Sequence, residues 1–248
     1  MRSWIVLPAY NEAQNLPPMF QSFQKVVADS YKLDLRIILV DDGSTDGTPE
    51  VARASAAGLP TDVLVNERNL GLAETFKRGL LQAAAAAEDD DIIICMDADN
   101  SHLAGQVQHL IRSIQEGRDV VIASRYREGS VVRGVPFVRQ ILSYAMSILF
   151  RLVYPISGVR DYSCGYRAYR ASFLKQAIQS QGGSLFASEG FACMVGILLR
   201  LDKAGAVFGE IPLILRYDQK EGMSKMKVGR TIFRTLGVLL RERMAGTP

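Results

Sequence analysis

Two acidic clusters, each following an apolar run, carry most of the chemistry legible in this chain. Arg36-Ile37-Ile38-Leu39-Val40 leads into Asp41-Asp42-Gly43-Ser44-Thr45-Asp46-Gly47-Thr48. Asp91-Ile92-Ile93-Ile94-Cys95-Met96 leads into Asp97-Ala98-Asp99-Asn100. Short β-branched runs bounded by turn residues read as buried parallel strands. Taken singly, either cluster is a turn that caps the next helix. Together they place carboxylates at the C-terminal rim of one sheet, where open α/β folds bind ligands. A divalent cation with a phosphorylated nucleotide suits such a rim, and with it group transfer.

The elements that must hold these residues alternate. Strands are expected at Ser3 to Leu7, Leu35 to Val40, Asp62 to Val65, Ile92 to Met96 and Val120 to Ala123. Helices are expected at Leu16 to Ala28, Thr48 to Ala57, Leu72 to Ala87 and Leu103 to Gln115. This alternation predicts an α/β fold, Rossmann-like, with a mostly parallel sheet and helices on both faces. Beyond it, Val131 to Tyr154 and Gly229 to Arg243 read as amphipathic helices, Ala206 to Leu215 as strand-like, and Phe186 to Ala204 as a helix. No Gly-x-Gly-x-x-Gly follows the first strand, which disfavours a dinucleotide oxidoreductase. Pro8-Ala9-Tyr10 stands there instead.

Composition narrows the classes further. The chain has 248 residues, 48% of them apolar, enough for a large core. A net charge of +3 is too small to imply nucleic acid, and no basic run or aromatic RNA-binding signature appears. Three cysteines, Cys95, Cys164 and Cys193, lack metal-ligand spacing and read as reduced thiols of a cytosolic protein. With His102 and His109 the only histidines, a zinc site is not expected. Met1-Arg2-Ser3-Trp4 runs straight into a strand with no signal-peptide pattern. No apolar stretch is long enough to span a bilayer.

Six motifs in order then carry a resemblance. They are Pro8-Ala9-Tyr10-Asn11-Glu12, Asp41-Asp42-Gly43-Ser44, Asp97-Ala98-Asp99, Ser124-Arg125-Tyr126, Gly165-Tyr166-Arg167 and Gly222-Met223-Ser224-Lys225. Over nearly the whole chain they resemble family 2 glycosyltransferases of the GT-A fold, the dolichyl/polyprenyl-phosphate mannosyltransferases in particular. The resemblance implies a catalytic domain over 1–228, with a nucleotide-sugar half to about 125 and an acceptor half from 126. A C-terminal amphipathic helix would fill 229–248.

For the donor, the resemblance implies that Pro8, Tyr10, Glu12, Val40 and Asp42, with Asp97 and Ala98, contact the nucleotide. Taken alone, Tyr10 is as well read as a packing aromatic and Glu12 as a helix-start charge. Asp97 and Asp99 resemble the family's Asp-x-Asp motif for Mg²⁺ or Mn²⁺, with Asp99 the main ligand and Ser101 at the next ligand position. On an extended segment, residues i and i+2 project the same way, and hard cations take oxygen ligands. The ion would neutralise charge on the departing diphosphate. Gly222-Met223-Ser224-Lys225 resembles a segment covering the donor phosphates, with Lys225 a point charge. Arg216, Gln219 and Lys220 stand nearby.

For the acceptor, Arg125, Arg139 and Ser143 match positions that hold the lipid phosphate in these enzymes, and guanidinium groups suit phosphate. Arg139 and Ser143, at i and i+4, share a helix face. From Phe137 to Tyr154, Arg139, Gln140, Ser143, Ser147 and Arg151 form a polar arc. Leu142, Ala145, Met146, Leu149, Leu152 and Val153 fill the other side. A core-facing helix with a solvated stripe fits that wheel equally well. A phosphate acceptor is already anionic at neutral pH and needs no general base. For a hydroxyl acceptor Asp161 is the candidate base; otherwise it orients Arg167 or the acceptor segment. Glu189 matches a family acidic position and also reads as a helix cap.

The expected reaction is inverting, metal-dependent transfer of a hexose from a nucleoside diphosphate sugar, GDP-mannose preferred, to polyprenyl phosphate. The alternatives are a UDP-hexose donor, a soluble hydroxyl acceptor, or a non-catalytic nucleotide-sugar binder. The expected location is cytoplasmic, peripheral on the cytoplasmic face of a membrane. Arg230, Arg234 and Arg241 opposite Ile232, Phe233, Leu236, Leu239 and Leu240 give the tail an interfacial pattern.

Overall fold

Apolar, β-branched runs build a central sheet in a computed structural model that describes residues 1–30, 33–188, 190–219, 235–239 and 241. Its strands are β1 (Ser3–Ala9), β2 (Leu35–Asp41), β3 (Thr61–Val65), β4 (Ile92–Cys95), β5 (Val120–Ser124), β7 (Arg167–Arg170) and β8 (Phe208–Pro212). They run in the order β3-β2-β1-β4-β7-β5-β8. All neighbours are parallel except β7, which is antiparallel to β4 and β5. Every residue of β1, β4 and β5 is buried, as strands covered on both faces require.

The first helices follow their apolar spacing. In α1 (Leu16–Ala28), Leu16, Met19, Phe20 and Phe23 form the buried stripe, and a proline opens the first turn. α2 is Thr48–Ser55, α3 Leu72–Ala86, and α4 Val107–Gln115. A 3₁₀ turn, Ala104–Gln106, opens what the sequence suggests is one helix from Leu103. Gly79 lets α3 lie close on the sheet: a Cβ there would come within 2.4 Å of Val6 Cγ1 and 3.1 Å of Val40 Cγ2.

The later elements depart from expectation. Gly134, at φ +79°, and Pro136 divide Val131 to Tyr154. The first part becomes β6 (Val131–Arg133), which pairs in parallel with β9 (Ile214–Arg216) in a small second sheet. The second part is α5 (Phe137–Val153). The Ala206 to Leu215 stretch supplies both β8 and β9. β7 follows no apolar period that announces it, whereas α6 (Ala171–Gln181), also outside the expected elements, buries a helical stripe of Ala171, Leu174 and Ala177. The expected Phe186 to Ala204 helix is confined to α7 (Cys193–Lys203), preceded by 3₁₀ turns at Gly182–Phe186 and Gly190–Ala192.

α5 also inverts the amphipathic reading of a core-facing apolar side. Ser147 and Phe150 are buried and Arg139 and Ser143 half-buried, whereas Phe137 and Leu152 are 74% and 75% exposed. Val138, Ile141, Leu142, Tyr144 and Ile148 are exposed as well. Arg139, Ser143 and Ser147 of the polar arc turn inward, while Phe137, Val138, Ile148 and Leu152 face outward. Of the expected tail helix, only 235–239 and 241 are described, and they are helical. Among the described residues no helix is long and apolar enough to cross a membrane.

Candidate active site

Strand register decides what meets at the rim. β1 and β2 pair from Ser3 with Leu35 to Ala9 with Asp41, so both strands end side by side. β4 pairs with β1 up to Cys95 opposite Val6, which brings Asp97 to the same edge. A cavity of about 1130 Å³ opens there, and Pro8, Tyr10, Glu12, Asp42, Asp97, Ala98, Asp99 and Ser101 line it. Arg125, Arg139 and Ser143 line its other side. Residues singled out for donor and acceptor thus face one space. Val40 is not among its lining residues; its side chain is fully buried beneath α3. Lys225, Gly222 to Ser224, Lys220 and Glu189 lie outside the described residues.

Hydrogen bonds stitch the loops after β1 and β2 together. Asn11, at φ +52°, donates its N–H to Ser44 Oγ at 2.8 Å, and its Oδ1 accepts from Thr45 N at 2.9 Å. Glu12 N donates to Thr48 Oγ1 at 2.9 Å, and Ala13 N to Asp46 Oδ2 at 3.0 Å. Burial works against the Asp46 charge, but the Thr48 hydroxyl and the surrounding backbone N–H groups hold its carboxyl below the usual range. Asp42 anchors a third loop. Its Oδ1 accepts from Asn66 Nδ2 at 3.0 Å and Leu70 N at 2.8 Å, and its Oδ2 from Gly71 N at 2.9 Å. A carboxylate has about four lone-pair sites, so Asp42 keeps capacity for a ligand N–H. This loop, with Asn69 and Gly71 on the cavity wall, went unnoticed in the sequence because it has no period.

The Asp97 to Asp99 segment is bent rather than extended, and Asn100 takes φ +59°. Asp99 is 8% exposed, and its Oδ1 accepts from Ser101 N at 3.1 Å and Ser101 Oγ at 2.5 Å. Both carboxylates and the Ser101 hydroxyl are hard oxygen donors on one cavity wall. Among the described residues no group of three His, Cys, Asp or Glu could hold a metal. Two carboxylates still fit Mg²⁺ or Mn²⁺, since a cation of this kind fills its other positions with water and substrate phosphate.

The wall opposite is built around Arg125 at the end of β5. Its Nε donates to Asp161 Oδ2 at 2.8 Å and its NH2 to Asp161 Oδ1 at 2.7 Å. NH2 also reaches Ser163 Oγ at 2.7 Å, and NH1 reaches Ser143 Oγ at 3.4 Å. Asp161 is fully buried and accepts further from the backbone N–H groups of Arg125, Ser163 and Cys164. Its oxygens are thus turned to Arg125 and the backbone rather than to the cavity. Nor does it orient Arg167, which is fully buried and donates to the carbonyls of Met194 and Tyr162. Arg139 lies 5.6 Å from the Tyr217 ring centre, its NH1 donating to the phenol oxygen at 3.4 Å. Arg216, in β9, is gripped by Asp218 at 2.8 Å.

A seven-stranded α/β sheet with carboxylates and arginines around one rim cavity is the frame of a group transferase acting on anionic substrates. The chain belongs to glycosyl transferase family 2, whose model matches residues 4–177, and it is a glycosyltransferase with the GT-A fold. It is 30% identical over 227 residues to the polyprenol monophosphomannose synthase of Mycolicibacterium smegmatis, covering 91% of this chain and 81% of that one. It is also 30% identical to the dolichol-phosphate mannosyltransferase of Pyrococcus furiosus, spanning 97% of this chain but 63% of that protein. With the undecaprenyl-phosphate mannosyltransferase of Micrococcus luteus it shares 30% over 92% and 89% of the two chains. Glucosyl-3-phosphoglycerate synthase from Mycobacterium tuberculosis, solved with Mn²⁺, UDP and phosphoglyceric acid, superposes with a TM-score of 0.70 at 24% identity. That match covers 100% of this chain and 79% of the other.

Proposed function

We propose that this glycosyltransferase moves mannose from a nucleoside diphosphate sugar, GDP-mannose in preference, to polyprenyl phosphate at a membrane surface. The observation that carries the reading is on α5. Arg139 and Ser143 turn into the cavity beside Arg125, while Phe137, Val138, Ile148 and Leu152 of the same helix face outward. A lipid phosphate needs that pairing: cationic groups for its head, and a protein surface that rests on the lipid phase. The three mannosyltransferase relatives support the sugar and the acceptor.

In this reading a phosphate oxygen of the acceptor attacks the anomeric carbon, and the bond from that carbon to the diphosphate breaks with inversion. The attacking oxygen is already anionic, so no base is required. That agrees with the turn of the Asp161 oxygens to Arg125 and the backbone and speaks against a hydroxyl acceptor. Arg125, Arg139 and Ser143 hold the acceptor phosphate. Pro8, Tyr10, Glu12 and Asp42 hold the nucleoside, and Lys225 the diphosphate. Asp99, with Asp97 and Ser101, would hold Mg²⁺ or Mn²⁺, which when bound screens the charge of the leaving diphosphate.

The test is incubation with Mn²⁺, a short polyprenyl phosphate and radiolabelled GDP-mannose, UDP-glucose, UDP-galactose or UDP-N-acetylglucosamine. Label entering the lipid phase from GDP-mannose alone is the expected result, and EDTA should abolish it. Lipid-phase label from a UDP-sugar would replace the donor. Nucleoside diphosphate release without lipid label would remove the acceptor, and normal turnover in EDTA would remove the metal.

A further inference from the structure

His102 takes part in none of the roles above, yet it sits in the cavity wall beside Asp97, Asp99 and Ser101. The residue is only 5% exposed. Its Nδ1 accepts the backbone N–H of Asp97 at 3.3 Å. The ring stacks on Tyr166, centroids 4.9 Å apart and planes at 28°, and the Tyr166 hydroxyl donates to the Leu103 carbonyl at 3.0 Å. Its main chain bridges to Leu215 of β9. The ring is therefore fixed from three directions.

These contacts determine what the other nitrogen offers. A ring nitrogen that accepts a hydrogen bond carries no proton, so the neutral imidazole keeps its proton on Nε2. Nε2 makes no hydrogen bond to any described residue, and the ring lines the cavity. It opens to the cavity as a donor. A nitrogen holding a proton has no lone pair for a metal, so His102 is not a further ligand beside Asp99.

We propose that His102 binds the sugar nucleotide, donating Nε2–H to a diphosphate oxygen while Nδ1 holds the Asp97 backbone in place. This rests on the cavity being a sugar-nucleotide site. A negatively charged oxygen is the acceptor that gains most from a preplaced N–H, and the Asp97 to Ser101 wall is where the diphosphate would lie.

Two measurements on the whole protein test it. Nitrogen-15 NMR of the His102 ring should find the proton on Nε2, and GDP-mannose should shift that resonance. A proton on Nδ1 would overturn the proposal, whatever the variants do. Calorimetry with GDP-mannose and spin-resonance titration of Mn²⁺ then compare His102→Asn, which keeps an acceptor near Nδ1, with His102→Gln, whose amide N–H reaches toward Nε2. His102→Asn should weaken nucleotide binding about tenfold or more, the worth of one hydrogen bond to a charged group. Mn²⁺ affinity should stay near wild type, and His102→Gln should recover most of the nucleotide affinity. Unchanged nucleotide affinity in His102→Asn, or Mn²⁺ affinity lost in parallel, would refute the assignment. If the wild type bound no nucleotide sugar at all, the reading of the cavity itself would fall, a different result from a defect confined to the variants.

Discussion

Arg125 and Asp161 meet in a two-pronged contact, Nε to Oδ2 at 2.8 Å and NH2 to Oδ1 at 2.7 Å, with the carboxylate fully buried and the guanidinium side chain 21% exposed. The pair fixes the cation that the acceptor phosphate would meet. It also raises the Arg125 pKa: burial opposes the cation, but Asp161 outweighs it.

Asp161→Asn should therefore cost about 2 kcal/mol at neutral pH, less than a wholly enclosed pair because Arg125 touches solvent. Burial raises the Asp161 pKa, but Arg125 and the backbone donors bring it below the usual range. The sign follows: its contribution is complete above an unfolded carboxylate value of about 4 and is lost as pH falls through the lower folded value. Urea unfolding from neutral to acid pH should show wild type losing stability over that window and Asp161→Asn losing less.

Glu210 should behave in the opposite sense. Its Oε1 accepts the backbone N–H groups of Arg160 and Asp161 at 2.6 and 2.7 Å, while Oε2 is buried without a hydrogen bond to any described residue. Burial raises its pKa, and the charge of Asp161 adds to the effect. Its ionisation costs nothing below the unfolded pKa and its full amount above the folded one. Glu210→Gln, which keeps an oxygen for the two N–H groups, should melt higher than wild type at neutral pH and no differently in acid. A lower melting temperature at neutral pH would show that the charge itself is needed.

Arg139→Ala should raise the acceptor KM about tenfold or more, the range for a hydrogen bond to a charged group, and leave slow donor hydrolysis intact. Kinetics with varied polyprenyl phosphate and a parallel hydrolysis assay separate the two. Equal losses in both would take Arg139 out of the acceptor site.

The outward face of α5 makes a claim about lipid. Phe137→Gln with Leu152→Gln, neither of which lines the cavity, should reduce partition onto anionic vesicles roughly tenfold or more, the scale of losing two apolar side chains from an interface. The melting temperature should barely move, since both positions are exposed in the free protein. Flotation of wild type and variant together reads the difference, and identical flotation would leave this face with no part in membrane contact.

Much of this was legible in the residues. Ile37 to Val40 and Ile92 to Cys95 declared strands because nothing polar interrupts them, and the carboxylates that follow them landed on the rim by register. β7 was not legible, since Arg167-Ala168-Tyr169-Arg170 places charge at both ends. Its Arg167 tolerates complete burial because the carbonyls of Met194 and Tyr162 receive its N–H groups, partners that no local pattern announces. The orientation of α5 was equally hidden, because a helical wheel records which residues share a face and not what that face meets. The Asp42 contacts to Asn66, Leu70 and Gly71 escaped for the same reason, being made across loops.

The place of β7 in the sheet has a consequence for how the chain comes off the ribosome. Within the described sheet, β5 pairs only with β7 and β8, both of which are synthesised more than forty residues after it. Until Arg167 to Arg170 emerges, the nascent chain carries Val120 to Ser124 with both edges bare, an invitation to pair with another copy. The native pairing of β5 therefore waits for the antiparallel strand, and Arg125 at its end gains Asp161 only as that later part of the chain arrives.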